Sequence, residues 1–163
     1  MKYSLKEALL VEKTTYTTMK EHPLWTALSS QTSRAQASMW QGVLFMDHAD
    51  GCTTEMYLTL NDDEHPGGIW IDSLNVVNTE TREADPGCFR QGYARELLAL
   101  LVHAADQTGT HLALIAAFEP YLARKYPDVE LPDKDELAAL YGEYGFHETS
   151  RNFAQVYMHR DSK

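Results

Sequence analysis

A glycine-containing turn at the start of a predicted helix is the part of this sequence best suited to bind a ligand. Residues 69–77 are largely apolar and predict a strand, and residues 89–98 then place Gly92 where a helix begins. The first backbone N–H groups of a helix have no partner within it, and the helix dipole favours negative charge there. The sequence therefore predicts an anion site at this turn.

Together with a later segment, residues 139–146, this turn resembles the acetyl-CoA site of the GNAT superfamily of N-acetyltransferases. The pyrophosphate turn of that family is usually Gln/Arg-x-x-Gly-x-Gly/Ala. Gly92 and Ala94 match it, whereas Phe89 stands where Gln or Arg is usual. The resemblance implies that backbone N–H groups hold the phosphates of acetyl-CoA, with contacts from Phe89, Arg90, Gln91, Gly92, Tyr93, Ala94 and Arg95.

Two further motifs carry the same resemblance, which covers roughly residues 36–158. Tyr141, followed by Gly-Phe at 145–146, is similar to the family's late Tyr-x-x-x-Gly-Phe motif, and this implies that Tyr141 protonates the leaving thiolate. Without that motif, Tyr141 would be typical of a packing tyrosine on an amphipathic helix. Leu74, Asn75 and Val76 resemble the splayed fourth strand of the family. In the family, the exposed backbone of that strand pairs with the pantetheine arm of acetyl-CoA.

Asp72 is the candidate general base. Alternation along the strand predicts that Trp70, Asp72 and Leu74 share one face, and in the family this face carries acid–base side chains toward the cleft. A carboxylate beside an apolar Trp70 would have a raised pKa, as a base requires; a solvent-facing or ion-paired aspartate is an equally good interpretation. Trp70 could line an acceptor pocket or pack in the core, and Glu119 lies near where the family binds acceptors.

The elements that must position these residues are predicted from apolar periodicity. Together with the resemblance, they lead us to expect an α/β fold with a GNAT-like mixed, mostly antiparallel six- to seven-stranded sheet flanked by helices, and the resemblance implies that this sheet is split near residues 74–76 and 112–116. The N-terminal segment could begin with a capped helix or with a short strand, and both alternatives stay open. The predicted elements are strands at 37–47, 53–60, 69–77, 111–118 and 153–159, and helices at 92–107 and 133–144.

Composition limits the class of protein. The 163 residues fit a single domain, 1–163, and the net charge of −10 argues against affinity for nucleic-acid phosphates. Cys52 and Cys88 suggest no disulfide framework and are interpreted as reduced thiols. The histidines show no ligand-like spacing, so no metal is expected. We expect no signal peptide, no membrane contact and a cytoplasmic location, because no apolar run is long enough for either role.

These inferences predict an enzyme that moves an acetyl group from acetyl-CoA to a primary amine by direct attack. The acceptor is a small amine or a Lys-bearing protein, and the acidic balance disfavours a nucleic-acid substrate. A catalytically silent acyl-CoA-binding or protein-interaction module with the same fold is the alternative. The oligomeric state stays open, with a homodimer among the alternatives.

Overall fold

The computed structural model describes residue 16 and residues 18–61, 65–89, 91–117 and 119–163. In this part of the chain, seven strands form one sheet in the order β1-β2-β3-β4-β5-β7-β6. The strands are β1 (Arg34–Ala37), β2 (Gln41–Asp47), β3 (Cys52–Asn61), β4 (Gly68–Asn78), β5 (Leu112–Ala117), β6 (His147–Arg151) and β7 (Gln155–Arg160). The helices are α1 (Pro23–Ser29), α2 (Tyr93–Thr108), α3 (Pro120–Lys125) and α4 (Lys134–Gly142), with short 3₁₀ turns at Met19–Glu21 and Pro86–Cys88.

The sheet is mixed and mostly antiparallel. Strands β1 to β4 form an antiparallel meander, β4 pairs with β5 in parallel, and β5, β7 and β6 pair antiparallel. The parallel pair requires a crossover, which α2 supplies. The predicted α/β fold with a mixed sheet of six to seven strands flanked by helices is thus confirmed.

The core lies where the helices cover one face of the sheet. Helix α2 is amphipathic, and its buried stripe packs with α1 and with inward-facing strand residues. The helix ends at Gly109, which adopts a left-handed conformation (φ 67°) and donates its N–H to the carbonyl of Ala105. The buried residues of α2 are Leu97, Leu98, Leu101, Ala104 and Ala105.

The predicted strand at 37–47 is wrong in its first part. The chain instead makes a hairpin of β1 and β2, and Ser38 donates its N–H to the carbonyl of Gln41 across the turn. Met39 and Trp40, two hydrophobic residues within the predicted range, lie in this turn with 59% and 63% of their surface exposed. Hydrophobic residues at a turn mimic strand periodicity, so the pattern alone did not show the break. The N-terminal alternatives fall at residues 4–11, outside the described residues.

Strand β4 contains a β-bulge that sequence alternation did not predict. Tyr57 on β3 lies opposite Ser73, whereas the next residue, Leu58, lies opposite Ile71, so Asp72 has no partner on β3. An inserted residue bends a strand and shifts its alternation by one.

The predicted shared face of Trp70, Asp72 and Leu74 is therefore wrong for Leu74. Trp70 lies opposite Thr59, but Leu74 lies opposite Met56 and packs against the core.

Strands β4 and β5 part shortly after they meet. Their pairing is confined to residues Ile69 to Ile71 on β4 and Leu112 to Leu114 on β5. Both strands continue beyond this short ladder, β4 to Asn78 and β5 to Ala117. The predicted split of the sheet is confirmed on β4, where it begins just before residues 74–76. On β5 the prediction of 112–116 is wrong in its first part, because Leu112 to Leu114 are still paired with β4.

The interpretation of Cys52 and Cys88 as reduced thiols is contradicted by the structure. The two residues form a disulfide with a Cα–Cα distance of 5.7 Å. Cys52 begins β3 opposite Asn78, and the loop after β4 folds back through the 3₁₀ turn that contains Cys88. Spacing along the chain could not indicate this proximity. None of the helices in the described part of the chain combines the length and apolar character needed to cross a membrane.

Candidate functional site

A cleft opens where β4 and β5 part. It has a volume of about 410 Å³, and its walls come from both strands and from α3, α4 and the segment between them. A cavity of this size lies within the usual range for ligand sites. Five of the residues predicted to act in cofactor binding, catalysis or acceptor binding line it: Asp72, Leu74, Asn75, Glu119 and Tyr141.

Tyr141 lies near the end of α4, facing this cleft. Helix α4 is capped at its start by Asp133, whose carboxylate accepts the N–H of Glu136. After the helix ends, the N–H of Phe146 donates to the carbonyl of Tyr141. Burial raises the pKa of the Tyr141 phenol. The hydroxyl therefore keeps its proton at neutral pH, which a general acid requires.

The Gly-Phe pair after Tyr141 has a structural role that the motif alone did not reveal. Gly145 adopts a left-handed conformation (φ 90°), and a Cβ there would lie 3.1 Å from the Nε of Arg160. The turn brings the ring of Phe146 edge-on to Tyr141, with centroids 5.9 Å apart. The pair thus fixes the position of the phenol at the cleft.

Asp72 is the bulge residue of β4 and is exposed at the cleft. The hydroxyl of Thr59 donates a hydrogen bond to its carboxylate. Trp70 is half-buried, does not line the cleft, and lies with its ring edge toward His159 at a centroid distance of 6.3 Å. The apolar surroundings expected for Asp72 are therefore absent, and hydrogen bonding in a solvated site takes their place.

Asp72 and Ser73 also line a second cavity, on the side of the β1–β2 hairpin. This cavity has a volume of about 530 Å³, and its other walls come from β1, β2 and β3. The two cavities thus share a wall at the bulge. Asp72 is the charged residue among those that line the second cavity. The other lining residues are Gln36, Ala37, Ser38, Gln41, Gly42, Val43, Tyr57, Leu58 and Ser73.

The predicted phosphate turn precedes α2. Gly92 is the N-terminal flanking residue and adopts a left-handed conformation (φ 81°), while a Cβ there would meet nothing within 4 Å. Backbone conformation, rather than lack of space, therefore favours glycine. Glycine also brings no side chain that could occupy the N–H groups of the first helical turn.

The side chains around that turn have partners elsewhere. Arg95 forms an ion pair of 2.6 Å with Glu143 at the end of α4, which brings the turn close to the helix of Tyr141. Tyr93 donates its hydroxyl to Asp50 and stacks on His48 at 3.6 Å. The cofactor contacts predicted for these two side chains would require them to leave those partners, so the backbone is the stronger candidate.

The remaining described residues predicted to contact the cofactor do not line the cleft. Gln91 is exposed at the turn, Ala94 is half-buried in the first turn of α2, and Phe89 is half-buried with its N–H bonded to the carbonyl of Pro86. Val76 lies on β4 beyond the residues that line the cleft. Arg90 lies outside the described residues.

The loop between β4 and α2 is held in place on the way to the turn. Ala84 bridges back to Val77, and its carbonyl accepts the hydroxyl of Tyr126 at 2.6 Å. The disulfide from Cys88 to Cys52 then ties the last part of the loop to β3. These contacts fix where the chain enters the phosphate turn.

A cluster of three histidines was missed by the sequence reasoning. One ligand atom from each of His65, His111 and His159 lies within 4.8 Å of the others. The expectation of no metal rested on local spacing, but these residues are brought together by the register of separate strands. A histidine at one end of each of several strands is too weak a signal to have found it.

Comparison with known proteins adds little to this description. No family model matches the sequence, and no curated protein matches it. The chain is similar to the crystal structure of PH1933 from Pyrococcus horikoshii OT3, with a TM-score of 0.41 and 15% identity over 70% of this chain. It covers 66% of that chain. A likeness this distant carries no argument about the site.

Proposed function

We propose that this protein is an N-acetyltransferase that moves an acetyl group from acetyl-CoA to a primary amine. The observation that carries the proposal is the cleft between the parted strands, which has a protonated phenol, Tyr141, and a carboxylate, Asp72, on its walls. The geometry fits the cosubstrate because β4 continues past its ladder with β5 and because Gly92 opens α2 with a bare N-terminal turn.

The chemistry assigned to these residues is a direct transfer. A lysine-like amine has a pKa of about 10.4 and is almost entirely protonated at pH 7, so it must lose a proton before it attacks. Asp72 takes that proton, directly or through water, as the nitrogen bonds to the acetyl carbon. Tyr141 donates its hydroxyl proton to the sulfur as the carbon–sulfur bond breaks.

The second cavity supports an amine as the acceptor. It meets the cleft at Asp72 and Ser73, so a molecule bound there would approach the cleft from the hairpin side. The carboxylate of Asp72 favours a cation at this point. We therefore propose a small amine or a lysine side chain as the acceptor, and no nucleic acid.

We also propose the cytosol as the compartment, following the prediction from the sequence. The Cys52–Cys88 disulfide is the observation that opposes it, because disulfides are uncommon in the cytosol of most organisms. Trapping free thiols with an alkylating reagent in lysed cells, followed by mass spectrometry of both cysteines, decides this point. Fully alkylated cysteines agree with the cytosol, and a protected pair contradicts it.

The function is tested by measuring thiol release from acetyl-CoA with a panel of amines that includes spermidine, amino sugars and a lysine peptide. Calorimetry measures acetyl-CoA binding in parallel. We expect turnover with at least one amine, reduced by added salt if Asp72 attracts a cation. Binding without turnover supports the silent module instead, and absence of binding overturns both. Duplex DNA and tRNA, added as competitors, should not inhibit.

A further inference from the structure

The three clustered histidines lie away from the two cavities, at the end of the sheet where β4 and β5 begin. His65 lies in the turn before β4, His111 directly precedes β5, and His159 belongs to β7. None of the three lines either cavity. The cluster is therefore separate from the proposed acetyl-transfer site.

Sheet register accounts for the cluster. Ala113 on β5 lies opposite His159 on β7, and His111 precedes Ala113 by two residues, so both histidines project from the same face. Their rings approach with His111 Nε2 lying 2.8 Å from His159 Nδ1. The ring of His65 stacks on that of His111 with centroids 3.6 Å apart.

A carboxylate orients the middle histidine. His111 Nδ1 lies 2.8 Å from the Oδ1 of Asp161, just after β7. An aspartate carboxylate can only accept, so Nδ1 carries the hydrogen and Nε2 presents its lone pair toward His159. A carboxylate that accepts from the far nitrogen of a histidine is the usual support of a metal-bound imidazole, since it fixes both the tautomer and the ring orientation.

We propose that His65, His111 and His159 bind one divalent transition-metal ion of the Zn²⁺ class. Asp161 acts as the positioning residue for His111. Imidazole nitrogens suit Zn²⁺, Ni²⁺ and Cu²⁺, whereas Mg²⁺ and Ca²⁺ prefer oxygen ligands. Three protein ligands leave the fourth tetrahedral position to water.

The required adjustment is small and confined to side chains. Two nitrogens bound tetrahedrally to Zn²⁺ at about 2.0 Å lie about 3.3 Å apart. The 2.8 Å pair of His111 and His159 must therefore open slightly. Because His159 Nδ1 donates to His111 Nε2 in the metal-free protein, its hydrogen must also move to Nε2 of the same ring or leave before Nδ1 can bind the ion. His65, which is exposed, must turn its ring out of the stack so that its lone pair meets those of the other two.

The ion would connect three separate parts of the chain. His65 belongs to the β3–β4 connection, which is otherwise held by His22 through its bond to the carbonyl of Gly67 at 2.6 Å. Binding would tie this connection to β5 and β7. We expect an increase in melting temperature on adding Zn²⁺, because an ion that binds the folded chain stabilises it.

The test is calorimetric titration of tag-free, chelator-treated protein with Zn²⁺ and Ni²⁺, with Mg²⁺ and Ca²⁺ as control ions. We expect one Zn²⁺ per chain and no binding of Mg²⁺ or Ca²⁺. His65→Gln and His159→Gln should each weaken Zn²⁺ binding at least about tenfold, and Asp161→Asn should weaken it about 10–100-fold. His103→Gln is the matched control, since His103 is exposed on α2 and outside the cluster.

Circular dichroism of each variant in chelator confirms that it is folded before its affinity is measured. Trp70 offers a second readout, because its ring lies 6.3 Å from that of His159 and Ni²⁺ or Cu²⁺ quenches nearby indole fluorescence. Trp70→Phe should remove most of the metal-dependent quenching. Absence of saturable Zn²⁺ binding, or equal affinity in folded His65→Gln, His159→Gln and His103→Gln, overturns the proposal.

Discussion

At the scale of single residues, the candidate site consists of a phenol and a carboxylate in different surroundings. Tyr141 is half-buried, and desolvation raises the pKa of its phenol, whereas Asp72 is exposed and accepts a hydrogen bond from Thr59. An acid and a base on the walls of one cleft can move two protons in a single transfer step. Substitutions of these residues separate the two roles.

Replacing Tyr141 by Phe should lower kcat by about 10²–10⁴-fold, the usual contribution of a general acid. Acetyl-CoA affinity should stay near wild type, because the hydroxyl acts only as charge develops on the sulfur. Steady-state kinetics and calorimetry measure the two quantities. Tyr144→Phe, three residues further along the chain, is the control and should leave kcat largely unchanged; an unchanged kcat in Tyr141→Phe would remove this residue from the mechanism.

Replacing Asp72 by Asn should reduce turnover most at the lower end of the pH range. The amine is then most fully protonated and depends most on a base, so the loss should shrink as pH approaches the amine pKa. The measurement is kcat/KM against pH for both proteins. A loss that is the same at every pH would assign Asp72 to acceptor binding rather than proton transfer.

At the scale of elements, the turn before α2 is the proposed binding site for the phosphates of acetyl-CoA. Gly92→Glu should abolish acetyl-CoA binding through bulk and like charge at the anion site. Gly109→Glu is the matched control, because Gly109 has a similar left-handed conformation in open space at the other end of α2. Both changes strain the backbone by about 1–2 kcal/mol. Equal acetyl-CoA affinity in the two variants would contradict the proposed phosphate site.

Arg160 connects β7 to both α2 and the end of α4. Its side chain is 2% exposed, and its guanidinium pairs with both oxygens of Asp106 at 2.8 and 2.9 Å and donates to the carbonyl of Tyr144. Asp106→Ala leaves the charge of the buried Arg160 without its partner, but Asp106 itself is partly exposed. The substitution should therefore reduce the free energy of unfolding by about 3 kcal/mol, the lower end of the range for buried pairs. Urea denaturation measures it, with Glu143→Ala, from an exposed pair, as control.

The same pair sets a pH dependence of stability. The hydrogen bonds from Arg160 lower the pKa of Asp106 from 3.8 to about 2. A carboxylate with a depressed folded-state pKa stabilises the protein above its unfolded pKa and loses that contribution as pH falls toward 2. Asp106→Ala should therefore lose less stability than the wild type between pH 5 and 2, as measured by thermal denaturation.

Predictability from sequence differed between elements for physical reasons. The central helix and the strands β3, β4, β5 and β7 followed from periodicity and turn residues, which are local signals, and the split of the sheet followed from the family resemblance. Strand β6 was not predicted, because all five of its residues are exposed and its sequence has no apolar alternation. The bulge at Asp72 and the hairpin before Gln41 were not predicted either, because each depends on register with a neighbouring strand. Tyr141 and Asp72 were found through a motif and alternation, yet the buried pair of Arg160 left no local signal.

At the scale of the whole molecule, the disulfide joins the first residue of β3 to the loop before the phosphate turn. It encloses a sequence separation of 36 residues. Closing a loop of this length removes entropy from the unfolded chain worth about 4 kcal/mol, and measured values for native disulfides are about 2–5 kcal/mol. Cys52→Ser combined with Cys88→Ser should lower the free energy of unfolding by that amount.

The measurement is urea denaturation of the wild type with and without reductant, compared with the double variant. Reduced wild type and double variant should unfold at the same urea concentration, below that of the oxidised wild type. An oxidised protein no more stable than the reduced one would show that the loop is already held by Tyr126 and the Val77–Ala84 bridge alone.

Because of the bulge, changing the number of residues in β4 has a different effect from changing their identity. Asp72 is the one residue of this strand that its β3 ladder skips, so a deletion there would let the pairing run without interruption. Substituting Asp72 would keep the bend and change only the chemistry, whereas deleting it would remove the bend and leave Ile71 opposite Leu58 and Trp70 opposite Thr59. A single insertion or deletion at this point thus converts between a flat, fully paired strand and one that bears a carboxylate at the junction of two cavities.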